Sequence, residues 1–181
     1  MTREEQADLI LFDRGLLTEL NKYGKAHMIG SYRMKMMAWN DLDIDVENDV
    51  MSLEKLHELT AFILHTFHPV WYEAKEEVTD EGKTVWFHGF ETVIGGERWN
   101  VDIWFFDKET IKKAEEYCNR IAAHTSEAEK QAITRIKQEL IARDLYGFDR
   151  FHSTQVYEAV TEKHILSAEE FLDVYSDKGE L

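Results

Sequence analysis

Three aspartates alternate along a short stretch of the sequence, and this spacing could support metal chemistry. Asp41, Asp43 and Asp45 are separated by the aliphatic residues Leu42 and Ile44. Alternate side chains of a β-strand project from one face, so the pattern predicts a strand with clustered carboxylates. Such carboxylates can bind divalent cations that in turn hold a triphosphate. Acid-rich faces also protect solvated edge strands from aggregation, so the spacing alone leaves both interpretations open.

A glycine and a serine precede this strand. Gly30 and Ser31 close the apolar run 26–29, and nine residues, 32–40, separate them from Asp41. A glycine lets the backbone approach a phosphate closely, and the following N–H groups and the serine hydroxyl can donate hydrogen bonds to it. A further acid, Asp102, lies in a later strand pattern on a face with polar neighbours. Taken alone, a Gly-Ser pair is more often a plain turn, so these features leave a phosphate and metal site as one of two interpretations.

The elements around these residues are predicted to be helices and strands in mixed order. Strands are predicted over 26–29, 41–46, 70–78, 84–94 and 98–106, and helices over 2–24, 52–68, after Asp107, from Ser126 to Gly147, over 155–164 and over 168–175. Turns at 80–82 and 95–96 make the last three strands an antiparallel meander. The composition changes near residue 107, which predicts an α/β domain over 1–107 and a helical region over 108–181 packed on it.

Composition and charge narrow the function classes. The chain has 181 residues, of which 44% are hydrophobic, enough for one core or two small ones. The polar start and the lack of a long apolar run predict a soluble, cytoplasmic protein with no membrane partner. A single cysteine, Cys118, predicts neither a disulfide nor a zinc site. The net charge of -15 disfavours nucleic acid as a partner, whereas formation of a homodimer stays open.

Three motifs follow one another in a familiar order: Met28-Ile29-Gly30-Ser31, Asp41-Leu42-Asp43-Ile44 and Asn100-Val101-Asp102-Ile103-Trp104. This order resembles the polymerase-beta-type nucleotidyltransferase superfamily, and more narrowly its small bacterial members similar to antibiotic (aminoglycoside and lincosamide) nucleotidyltransferases. The resemblance covers residues 25–106, and the helical tail is only loosely similar. It implies an α+β nucleotidyltransferase fold, with a mixed, largely antiparallel sheet flanked by helices and followed by a C-terminal helical region.

The resemblance also implies a reaction and roles for individual residues. A nucleoside monophosphate would move from a nucleoside triphosphate to a hydroxyl of a small molecule, with expulsion of pyrophosphate. Asp41, Asp43 and Asp102 would be the catalytic residues and the ligands of two Mg²⁺ ions. Asp102 would complete the ligand set of the second ion or take the proton of the acceptor hydroxyl. Gly30 and Ser31 would bind the nucleotide phosphates.

Several alternatives remain open at this stage. The stretch 43–46 also fits the Asp-x-Asp motif, so Asp45 could replace Asp41, although Trp39-Asn40 favours the first register by resemblance. Three cations could offset negative charge that develops in the reaction, or could be surface residues: Arg33, Lys35 and Arg98. A second functional hypothesis is a catalytically weak or inactive relative that binds nucleotide or a protein partner, such as an antitoxin. The presence of all three carboxylates favours catalysis.

Overall fold

The computed structural model describes residues 1–48, 50–147 and 149–176. The helices are α1 (Arg3–Asp8), α2 (Leu16–Leu20), α3 (Gly30–Met34), α4 (Leu53–Phe67), α5 (Lys108–His124), α6 (Glu127–Ala142), α7 (Ser153–Lys163) and α8 (Ala168–Ser176). The strands are β1 (Ala26–Met28), β2 (Asp41–Glu47), β3 (Trp71–Val78), β4 (Thr84–Ile94) and β5 (Glu97–Phe106). Within the described ranges, no helix combines the length and the apolar character needed to cross a bilayer.

The chain forms two compact units. The first contains Met1–Arg33 and Asn40–Cys118, and the second contains Met34–Trp39 together with the chain from Asn119 onward. All five strands belong to the first unit, whereas α6, α7 and α8 belong to the second. The domain boundary predicted after residue 107 stays a prediction.

A mixed five-stranded sheet organises the first unit, in the order β1-β2-β5-β4-β3. The β2–β5 pair is parallel, and the other three pairs are antiparallel. Gly95 and Gly96 form the two-residue turn between β4 and β5, where both have positive φ, 60° and 87°. The predicted α+β class and the β3-β4-β5 meander are therefore confirmed.

The two faces of this sheet differ in polarity because side chains alternate along each strand. On β5, Val101 and Ile103 are fully buried, whereas Asp102 between them is only partly covered. The buried face packs against α4, where Phe67 and Phe90 have ring centroids 5.0 Å apart. The sheet therefore has one face committed to the core and one face that carries Asp102.

The N-terminal helical region differs from the single helix that was predicted to run to Gly24. A π-helical segment, Leu9–Asp13, separates α1 from α2. Its wider turn, closed by the Arg14 N–H donating to Leu9 O at 2.9 Å, shifts the buried face, so that Phe12 is 56% exposed. Gly15, with φ of 74°, then restarts the helix. Local periodicity assumes hydrogen bonds between residues four apart, so it did not predict a turn in which they are five apart.

The second unit is helical, as predicted. Helix α6 begins with a capping box in which Ser126 and Glu129 bond each other's backbone N–H groups, which confirms the predicted start. Its end was predicted at Gly147, but the helix stops at Ala142. Asp144 adopts a positive φ of 56°, a conformation that a right-handed helix cannot continue through and that Asp tolerates.

Candidate active site

The register of β2 and β5 brings three carboxylates together. Asp43 lies opposite Asp102 and Asp41 lies opposite Asn100 in this parallel pair. Each of the three acids is partly exposed, and one carboxylate oxygen from each lies within 4.8 Å of the others. The alternation of side chains along β2 and β5 places the three acids on the polar face of the sheet, as the sequence spacing predicted. The structure thus assembles the acids, whereas their roles as metal ligands stay a prediction.

Asn100 joins two of these acids. Its Nδ2 group donates to Asp41 Oδ1 at 2.8 Å and to Asp102 Oδ2 at 3.2 Å. The sequence motif contained this residue, but no role was predicted for it. The reason is that its contact with Asp41 depends on the pairing of two strands that lie far apart in the chain.

Gly30 lies directly against the acidic cluster. Its φ is 63°, and a Cβ at this position would clash with the Asp43 carboxylate oxygen Oδ2. The preceding N–H, of Ile29, donates to the backbone carbonyl of Asp43 at 3.0 Å and fixes the approach. Ser31 follows in the first turn of α3 and is buried. A glycine therefore suits this position for two reasons: it adopts the positive φ without strain, and it leaves the space that the Asp43 carboxylate occupies.

Asp45, the alternative candidate for the Asp-x-Asp pair, lies one position further along the same face. It is only 8% exposed, and it is paired across the sheet with His27 and Trp104. Burial, followed by the negative charge of Asp43, raises its pKa to about 7, while His27 acts in the opposite direction. Within the described residues, the carboxylates that converge are those of Asp41, Asp43 and Asp102. The geometry therefore favours Asp41 over Asp45.

The three candidate cations lie in different surroundings. Arg33 Nη1 is 2.9 Å from Glu115 Oε1, and Arg98 Nη1 is 3.1 Å from Glu91 Oε2. Lys35 belongs to the second unit, where it lines a depression of about 370 Å³ with residues of α6. The other lining residues are Glu127, Lys130, Gln131, Thr134 and Arg135. Their proposed role in offsetting charge stays a prediction.

An aromatic wall lies beside Asp102 on the polar face of the sheet. Gly89 on β4 is the register partner of both Asp102 and Glu73. The rings of Phe87 and Trp71 fold over it: an added Cβ would be 2.6 Å from Phe87 Cζ and 3.0 Å from Trp71 Cζ3. Trp71 is 43% exposed. In the sequence, the signal for this close packing is a glycine inside a strand, which often marks a close approach of neighbouring groups.

Burial and nearby charge shift the pKa of the Asp102 carboxyl. Burial raises the pKa of its carboxyl above the usual range, the Asn100 hydrogen bond lowers it, and the charge of Glu73 raises it again. An aspartate with a raised pKa is a better proton acceptor than an exposed one. Because the fold places it beside two further carboxylates, the same group could also bind a cation.

The donor set of the cluster suits Mg²⁺. Three carboxylates offer hard oxygen ligands, which Mg²⁺ and Mn²⁺ prefer over nitrogen and sulfur. Mg²⁺ is usually held by one or two protein carboxylates together with substrate phosphates, which this small number of ligands allows. Asp41, Asp43 and Asp102 are the residues that would hold it. The arrangement can therefore position a nucleotide through cations.

No protein-family model and no curated protein matches the sequence. Solved structures do match the fold. The Cid1 poly(U) polymerase with bound Mg and 3'-dATP superimposes with a TM-score of 0.59 at 13% identity, over 87% of this chain and 48% of that chain. The non-canonical poly(A) polymerase complex GLD-2–GLD-3 gives a TM-score of 0.59 at 11% identity, over 97% and 59%. A cytoplasmic RNA terminal U-transferase gives 0.56 at 14%, over 87% and 47%.

These likenesses extend over most of this chain, which spans about half the length of the matched chains. At such low identity they concern the fold and not the substrate. They give no support to the narrower resemblance to antibiotic nucleotidyltransferases, which stays a hypothesis. The matches nonetheless show the fold: this chain shares the nucleotidyltransferase fold of the matched polymerases and transferase.

Proposed function

We propose that this protein is a metal-dependent nucleotidyltransferase. The observation that carries the proposal is the convergence of Asp41, Asp43 and Asp102 within 4.8 Å, beside a glycine whose backbone lies against Asp43. An acidic face that only protects an edge strand does not need such convergence. Here β2 is an interior strand between β1 and β5, so edge protection does not account for its acids.

The chemistry is the transfer of a nucleoside monophosphate to a hydroxyl. A bond forms between the acceptor oxygen and the α-phosphorus, the bond to the bridging oxygen breaks, and pyrophosphate leaves. Bound Mg²⁺ would orient the phosphates and stabilise the charge on the attacking and leaving oxygens. Asp102, with its raised pKa, takes the proton of the acceptor hydroxyl. Gly30 and Ser31 bind the phosphates through the turn that enters α3.

The acceptor in this proposal is a small molecule with a hydroxyl and a positive charge. It lies on the Asp102 side of the cluster, where β4 and β3 continue the polar face. There the partly exposed ring of Trp71 offers a stacking surface. Glu73 and Asp102 lie on either side of Gly89, which is the register partner of both. The net charge of -15 supports a cationic acceptor over an RNA chain. The poly(U) and poly(A) polymerases of similar fold act on RNA by their names, which makes RNA the competing acceptor.

A calorimetric titration tests the nucleotide site. Each of the nucleoside triphosphates is titrated with Mg²⁺ into wild type, Asp43→Ala and Asp80→Ala. Asp80 lies exposed in the β3–β4 turn and provides the same substitution away from the cluster. Wild type and Asp80→Ala are expected to bind one triphosphate with Mg²⁺ and to lose that binding with a chelator, whereas Asp43→Ala loses the metal-dependent part. Wild type without metal-dependent nucleotide binding overturns the proposal.

A pyrophosphate assay on the same samples separates the catalytic hypothesis from the regulatory one. Retained binding of triphosphate and Mg²⁺, with no pyrophosphate release in the presence of any hydroxyl acceptor, favours the inactive nucleotide-binding relative. Pyrophosphate release that depends on both acceptor and Asp43 favours the enzyme. Pyrophosphate is measured by a coupled phosphate assay on the same samples.

A further inference from the structure

Asn100 occupies the point at which the two acid-bearing strands meet. It lies on β5 two residues before Asp102, and it is the register partner of Asp41 on β2. Its backbone N–H donates to the Asn40 carbonyl at 2.9 Å, which ties this end of β5 to the start of β2. The side chain therefore extends from a fixed backbone position toward acids of both strands.

The hydrogen bonds of Asn100 use the two hydrogens of one amide nitrogen. Nδ2 donates to Asp41 Oδ1 and to Asp102 Oδ2, at 2.8 and 3.2 Å. Ionised carboxylates only accept hydrogen bonds, so the nitrogen, and not the amide oxygen, must face them. A single uncharged side chain thus bridges two carboxylates that belong to different strands.

Three carboxylates within 4.8 Å repel one another when they are ionised, and each would turn away if its side chain were free to rotate. Donors that face two of them oppose both the repulsion and the rotation. Hydrogen bonds to metal-binding carboxylates hold them in the orientation that a cation needs, and removal of such a partner commonly weakens metal affinity by about 10 to 100-fold.

We propose that Asn100 is a positioning residue, which holds the carboxylates of Asp41 and Asp102 in the arrangement that binds divalent cations. The proposal rests on the proposed function, because it assigns a task within the same site. It differs from a structural role, in which Asn100 would only join β2 to β5. It also differs from competition, in which the amide would occupy the carboxylate oxygens and oppose cation binding.

Binding of Mn²⁺, followed by electron paramagnetic resonance of the free ion, distinguishes these roles without any assay of activity. Wild type is compared with Asn100→Ala, Asn100→Leu and Asn48→Ala. Leu keeps the size of the side chain without a donor. Asn48 is the matched control, since its Nδ2 donates to the Thr84 carbonyl at 3.2 Å just beyond β2, away from the cluster.

Both Asn100 variants are expected to bind Mn²⁺ about 10 to 100-fold more weakly than wild type, while Asn48→Ala binds it unchanged. Equal affinity in the Asn100 variants overturns the positioning role, and tighter binding shows competition instead. If circular dichroism shows that the Asn100 variants are unfolded in the absence of cation, the role of Asn100 is structural, which also overturns the proposal. Wild type that binds no Mn²⁺ overturns the proposed function itself, so the two failures are distinguishable.

Discussion

At the scale of single residues, Gly30 shows how backbone conformation and chemistry are linked in this site. Its φ of 63° is one that residues with a side chain adopt at a cost of about 1 kcal/mol. In addition, a Cβ would enter the space of Asp43 Oδ2. The first effect concerns stability alone, whereas the second concerns the position of a carboxylate. Alanine substitution at Gly30 combines backbone strain with the displacement of Asp43. The two effects can be separated by the same substitution at a glycine that has a positive φ but no close neighbour.

Gly82 supplies that comparison, because its φ is 76° and an added Cβ meets nothing within 4 Å. Gly82→Ala is expected to lower the free energy of unfolding by about 1 kcal/mol from backbone strain, and Gly30→Ala is expected to lower it by at least as much. Only Gly30→Ala is expected to weaken Mn²⁺ binding as well, since Asp43 must move. Denaturant titration measures the first quantity and electron paramagnetic resonance the second. Equal Mn²⁺ affinity of the two variants would contradict the steric argument.

At the scale of elements, His88 lies where the sheet meets α4. It is fully buried, and the Tyr72 hydroxyl is 2.8 Å from its Nδ1 and 2.6 Å from Thr60 Oγ1 on α4. Its Nε2 has no hydrogen-bond partner among the described residues. Burial lowers the pKa of His88 to about 4, so the ring is neutral in the folded protein at physiological pH.

Acid should therefore weaken the folded protein through this residue. In the unfolded chain histidine binds a proton near its ordinary pKa of about 6.5, whereas His88 in the folded protein does so only near 4. The unfolded state thus binds more protons between these values, and stability falls as the pH is lowered from about 6.5 to about 4, by about 3 kcal/mol in all. Denaturant titrations of wild type and His88→Leu across this range measure the difference in slope.

The comparison with His88→Leu is needed because Asp45 acts in the opposite direction. Its pKa is raised to about 7, so the folded state binds more protons than the unfolded state as the pH falls below 7. That contribution is common to both proteins and cancels in the difference. His57→Leu, at an exposed position on α4, provides the same substitution away from the buried site. An identical slope in His88→Leu would contradict the burial argument.

Elements with a strong period were predictable from the sequence, and contacts between distant elements were not. The alternation over 41–46 predicted both the strand, which the structure extends to Glu47, and the common face of its acids. The bridge made by Asn100 and the packing of Trp71 over Gly89 depend instead on which strands pair and in what register. Such pairing joins residues that are tens of positions apart, and no local pattern in one sequence determines it. The π-helical segment was missed because periodicity presumes a regular turn.

At the scale of the whole molecule, net charge distinguishes the two acceptor classes that the proposed function leaves in competition, and the distinction can be tested. The chain has 36 acidic and 21 basic side chains, which gives a net charge of -15. Proteins that bind nucleic acid neutralise phosphates with Lys and Arg and release counterions, so their affinity falls steeply with salt. A molecule with this excess of acid repels a polyanion at low salt and attracts a cationic ligand.

Fluorescence anisotropy of a labelled oligoadenylate, measured against salt concentration, tests this argument. We expect no measurable binding at low salt, where repulsion is screened least, and no gain in affinity at any salt concentration. Pyrophosphate release with an aminoglycoside, as a cationic polyol probe, is expected to require a higher acceptor concentration as salt is added, because screening weakens attraction to the acidic surface. Tight oligoadenylate binding that weakens with salt would instead reveal a local basic surface that outweighs the net charge, and the acceptor would then be RNA.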